Sequence, residues 1–85
     1  MKQYIIEVEG MRCGMCEAHV NDAIRKVNGV IKVNSSHVKK QTVVICNDDI
    51  TVDTIKDAIN KEGYTTNNYQ ENKVEKKLFG YKVIK

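Results

Sequence analysis

Two cysteines separated by two residues, in the run Gly10-Met11-Arg12-Cys13-Gly14-Met15-Cys16, are the positions in this chain best suited to chemistry. That spacing lets both sulfurs converge on one point. The run lies between an extended apolar segment and the start of a helical one, so Cys13 falls in a loop and Cys16 at or in the first helical turn. A helix N-terminus offers free N–H groups and a partial positive charge. Both stabilise thiolate, the form that binds metals and attacks disulfides. Gly14 between them keeps the loop open to an incoming group.

A CxxC pair has three chemical readings. A closed structural zinc site needs four ligands, usually two such pairs. This chain has one pair, with Cys46, His19 and His37 as the other ligand types. A redox dithiol also follows a strand and opens a helix, but the thioredoxin-like arrangement keeps a proline facing the dithiol, and this chain contains none. The third reading fits best: two thiolates on an exposed loop suit a soft, low-coordinate ion, with Cu(I) the commonest case. Such a site is poor for storage and good for transfer, because a second protein's thiolate can enter before the first leaves. Mercury, cadmium and zinc are bound by the same pair, so the residues themselves leave the metal open.

The flanking segments must hold that loop. Tyr4 to Glu9 is β-branched and alternates at its end, a strand with one wet face. Val20, Ala23, Ile24 and Val27 recur at helical spacing, and Asn28-Gly29 ends that helix with a left-handed cap. Val30–Val33 and Thr42–Cys46 are two further strands, separated by the turn residues Asn34-Ser35-Ser36 and close enough for a hairpin. Val52, Ile55, Ala58 and Ile59 mark a second helix, capped by Thr51 or Asp53 and ended at Glu62-Gly63. Tyr64 to Tyr69 makes a last short strand. Strand, helix, strand, strand, helix, strand is the split βαβ pattern of an α+β domain, with two helices on one face of a four-stranded antiparallel sheet.

Eighty-five residues allow one domain. Residues 1–69 carry nine Lys/Arg and nine Asp/Glu, so the whole net charge of +3 belongs to residues 70–85. A neutral body argues against a nucleic-acid-binding domain, which shows a basic stripe on the fold itself. No apolar run is long enough for a membrane helix, no leader-like segment is visible, and a cytoplasmic protein with reduced thiols is expected. The domain is expected over residues 1–69. The basic segment 70–85 is read as a flexible tail able to touch an anionic surface, with an edge strand at Tyr81–Ile84 as its structured alternative.

The loop, with Asn28-Gly29-Val30 and Gly63-Tyr64 behind it, resembles the heavy-metal-associated domain family, whose signature is G-M-[TS]-C-x-x-C followed by G-V and a second-helix end in G-Y or G-F. The resemblance covers about residues 3–69. It implies a ferredoxin-like βαββαβ sandwich, binding of Cu(I) or another soft ion by Cys13 and Cys16, and no enzymatic activity. It further implies a role like that of small bacterial copper chaperones, with a copper-transporting P-type ATPase or a copper-responsive repressor as partner. A monomer is expected without metal, with a metal-bridged dimer open to it. Arg12 departs from the usual Thr or Ser and places a cation beside the site. The resemblance places Tyr64 near the loop, where its hydroxyl would act on the thiolates. The bland alternative is a tyrosine half-packed at the sheet end. Met11 is expected as a core anchor of the loop rather than a ligand. Met15 is expected exposed, His19 and His37 at the surface, and Cys46 packed in the third strand.

Overall fold

The computed structural model describes residues 1–77 and 80–84. Four strands and two helices follow the expected order: β1 (Lys2–Glu9), α1 (Gly14–Arg25), β2 (Val30–Ser36), β3 (Gln41–Cys46), α2 (Val52–Lys61) and β4 (Thr65–Lys77), and a fifth strand, β5 (Gly80–Ile84), follows. The sheet order is β2-β3-β1-β4-β5, with every pairing antiparallel. The first four strands and both helices make the ferredoxin-like βαββαβ sandwich.

The alternation in β1 decides which face is covered. Tyr4, Ile6 and Val8 are buried and share one core with Val20 and Ile24 of α1, Ile55 and Ile59 of α2, and Val33, Val44 and Cys46 of the neighbouring strands. Each fully buried Ile or Val contributes roughly 1.5–3 kcal/mol relative to exposure. The hydroxyl of Tyr4 donates to the Ile50 carbonyl at 2.8 Å, so its polar tip is satisfied inside this layer. Thr51, not Asp53, caps α2, its hydroxyl accepting from the Thr54 N–H at 3.4 Å. α1 ends at Arg25 with Lys26 as its C-cap, short of the expected Asn28-Gly29; Gly29 stands in the turn before β2 at φ +98°, where a side chain would be strained and would also press on Ile50.

A domain boundary at residue 69 falls inside β4. The structure runs that strand on to Lys77 and pairs it with β5 from Lys77↔Gly80 to Lys73↔Ile84. Leu78, Phe79 and Lys85 of the expected tail lie outside the described residues. The extension is also tied inward: Val74 is buried, and its N–H donates to the Met1 carbonyl at 3.0 Å.

β1 is hydrogen-bonded on both sides, to β3 and to β4. The CxxC loop therefore hangs from a strand held along both edges, as β3 and β4 also are. Glu9 pairs with Thr65, which brings the start of β4, and Tyr64 just before it, to the end of the sheet where that loop departs.

Candidate metal centre

The loop leaves β1 through Gly10, whose φ of +107° favours glycine. There is a second reason for glycine here. A Cβ at this position would stand 3.1 Å from Cδ1 of Tyr64, so a side chain here would crowd the Tyr64 ring. Met11 then turns inward, 8% exposed and part of the core, which fastens the loop as expected of a packing residue. Arg12 is exposed.

Cys13 is the N-cap of α1, with extended backbone. Its carbonyl accepts from the N–H groups of Cys16 at 3.1 Å and Glu17 at 3.2 Å, which closes the first turn and sets both cysteines on one short arc. Cys13 is exposed and Cys16 half-buried; both thiols are free. A Cβ on Gly14 would meet nothing within 4 Å, so the loop beside Gly14 is open. Met15 is 71% exposed, as anticipated.

Cys16 is already disposed towards thiolate. The Arg12 backbone N–H donates to its sulfur and is the largest influence; the Tyr64 hydroxyl adds a second hydrogen bond, and together with Cys13 they outweigh partial desolvation, bringing its pKa down to about 7. Tyr64 responds in the opposite sense. Its hydroxyl is held protonated chiefly by the bond to Cys16, and its pKa is raised. Both shifts place the Tyr64 hydroxyl beside the Cys16 sulfur.

Alkylation by iodoacetamide should show this. The rate at Cys16, followed on its own peptide, is expected to rise with pH around a midpoint near 7, against about 8.5 for a free thiol. Tyr64→Phe removes one donor to the thiolate, so the midpoint moves upward. An unchanged midpoint in that variant would remove Tyr64 from the site.

The other sequence candidates separate cleanly. His19 is exposed on α1. Cys46 is fully buried in the core, where desolvation pushes its thiol pKa up and keeps it protonated. Among the described residues, no group of three or more His, Cys, Asp and Glu side chains gathers in a way that could hold a metal.

His37 is not the bystander its place in a surface turn suggested. Its backbone N–H and its ring both bond Glu17, at 2.7 Å and 2.6 Å. These bonds hold the Glu17 carboxyl below its ordinary range, the backbone N–H contributing most. Nothing in the local sequence marks this pair, whose members lie 20 positions apart.

Fold and loop together define a class: the chain belongs to the heavy-metal-associated domain family, whose profile matches residues 5–65. Among its relatives is the copper chaperone CopZ of Staphylococcus aureus, 37% identical over 65 residues, which cover 75% of this chain and 96% of that protein. A copper transporter domain from yeast, solved in apo and Cu(I)-loaded states, superposes with a TM-score of 0.73 at 30% identity, covering 78% of this chain and 92% of that one. The N-terminal domain of ZntA in its Zn(II) form does so with a TM-score of 0.71 at 30% identity, covering 78% and 89%.

Proposed function

We propose that this protein is a carrier of Cu(I), held by the thiolates of Cys13 and Cys16 and passed on to a copper-transporting P-type ATPase or to a copper-responsive repressor. The observation that carries this reading is the two-sulfur set itself: one exposed and one half-buried thiol on an open helix N-terminus, with Cys16 poised as thiolate near neutral pH. Soft thiolates select Cu(I), which accepts low coordination. The likeness to CopZ and to the yeast transporter domain supports the same ion.

Transfer follows from coordination by two ligands. A partner's thiolate adds to the ion from the open side above Gly14, and one of the two cysteines then leaves. Each leaving sulfur is received as thiolate or protonated by water, so no covalent bond within either protein is made or broken and the protein acts as a carrier rather than a catalyst. The Tyr64 hydroxyl and the Arg12 N–H stabilise Cys16 as it departs.

The likeness to ZntA gives zinc as the second reading. The same loop binds Zn²⁺ weakly on this view, since it supplies only half of a tetrahedral set. A cytoplasmic location belongs to the proposal. Among the described residues, no helix is long and apolar enough to cross a membrane.

Competition of Cu(I) and Zn²⁺ for the reduced protein, read by native mass spectrometry, tests the assignment. One Cu(I) per chain, not displaced by excess Zn²⁺, is the expected result. Zinc retained in the presence of equimolar Cu(I) would transfer the assignment to the second reading.

A further inference from the structure

Helix α1 begins without a side-chain cap. Cys13 occupies the N-cap and makes no side-chain hydrogen bond to the helix. A Ser, Thr, Asp or Asn there would favour the first turn about fivefold. A sulfur committed to an ion cannot do that work, and a freely fraying first turn would let Cys16 drift from Cys13.

Two polar clasps hold α1 from outside, one in its first turn and one past its middle. One turn along the helix, Asn21 Oδ1 accepts from the Ser35 hydroxyl at 2.6 Å, and Ser35 is itself bonded to Thr42 at 3.0 Å. Glu17, four residues earlier and so on the same face, reaches His37, two residues further along the same edge. Glu17 Oε2 receives both the His37 N–H at 2.7 Å and His37 Nδ1 at 2.6 Å. The carboxylate only accepts, so Nδ1 carries the proton. The turn bearing His37 is fixed in its own right: the Lys39 N–H donates to Ser36 Oγ at 3.2 Å, and the Lys40 carbonyl accepts from the Val8 N–H at 2.9 Å. The backbone of Glu17 meanwhile donates to the Cys13 carbonyl at 3.2 Å. The clasp thus ties the first turn of α1, through Glu17, to a turn that is itself anchored on β1.

We propose that Glu17 and His37 are positioning residues of the metal loop, their clasp replacing the N-cap that Cys13 cannot provide and holding the two sulfurs at binding distance before the ion arrives. This rests on Cys13 and Cys16 being the ligands and adds how their spacing is kept. A preset spacing removes the ordering cost of binding, so the clasp acts on affinity through the cysteines and touches no ion itself.

The geometry predicts a graded series in the full chain. Glu17→Ala removes both bonds, whereas His37→Ala removes only the ring bond and leaves the backbone donor of residue 37. Amide exchange at Cys16 and Glu17 in the metal-free protein should quicken by about tenfold in Glu17→Ala and by about threefold in His37→Ala, while Ile55 and Ile59 in α2 keep their protection. The double variant should match Glu17→Ala, because the two side chains act through one contact. Cu(I) affinity against a competing chelator should fall in the same order, and Glu17→Gln, which still accepts from the backbone N–H, should recover part of it.

Unchanged exchange at Cys16 and Glu17 would overturn the clasp. Faster exchange with undiminished Cu(I) affinity would overturn its positioning role. Loss of protection in α2 to the same degree would reduce the effect to general stability and overturn it as well. Should the unaltered protein bind no Cu(I), the carrier assignment fails by itself, and the metal-free exchange still decides whether the clasp exists.

Discussion

Cys13→Ser combined with Cys16→Ser abolishes Cu(I) binding and leaves the fold in place. The serine hydroxyl is a hard, protonated donor at neutral pH and cannot replace a soft thiolate. The fold survives because neither sulfur fills the centre of the core: Cys13 is exposed, and Cys16 only leans on the core from its edge. The N-cap even improves, since a serine hydroxyl at the head of α1 can accept from the first turn as the Cys13 side chain does not. Thermal unfolding followed by circular dichroism should therefore stay within about 5 °C of the parent, a shift equivalent to roughly 1 kcal/mol at this size. Copper titration should show no uptake at one equivalent. Undiminished binding by the double variant would remove both cysteines from the site, because the third thiol, Cys46, is sealed in the core.

The second large effect lies in the core and should leave the site standing. Ile24 on α1 is fully buried at the contact of that helix with the sheet. Its truncation to alanine opens a cavity costing about 2–5 kcal/mol, a large part of the ~5–15 kcal/mol available to a domain. Denaturant unfolding should show a lower midpoint with an unchanged slope. At low temperature the protein should still bind one Cu(I), because the loop is fastened by Met11, Tyr64 and the Cys13 carbonyl rather than by Ile24. A loss below about 1 kcal/mol would mean that α1 repacks freely and that the sheet does not dictate its position.

The elements that carry strong apolar patterns were legible. Ile6 and Val8 in alternation, Val20 and Ile24 at helical spacing, and Ile55 and Ile59 on α2 are all buried where their periods place them. The two cysteines could be read as a site because strand, loop and helix follow one another in sequence. What escaped depends on pairing across distance. β4 beyond residue 69 reads Gln-Glu-Asn-Lys, with no apolar alternation, and is held as a strand by backbone pairing with β1 as far as Lys2↔Lys73 and by Val74. Side-chain pattern gives no sign of such pairing. The Glu17–His37 clasp joins two polar residues that each look solvated alone, and only the return of β2 alongside α1 brings them together. Tyr64 is an intermediate case. Its position after Gly63 came from family resemblance, but its close approach to Gly10 and to Cys16 joins residues far apart in the chain.

The burial of Cys46 gives the molecule an internal clock. Its sulfur is shut in the core and kept protonated by desolvation, while the other two thiols stand at the surface or its edge. A thiol reagent added to the native protein therefore consumes two equivalents promptly, and the third only as fast as the core opens. Cys46 is the last residue of β3, paired with Lys2 and Val30 and packed in the core that both helices share; a slow rate that tracks denaturant-derived stability identifies that opening as global unfolding rather than fraying of the strand end. The slow equivalent measures stability without heat or denaturant. An ion that occupies the outer pair slows it by the factor that mass action sets, one plus the ratio of free ion concentration to Kd, so cargo affinity can be timed from a residue the cargo never touches.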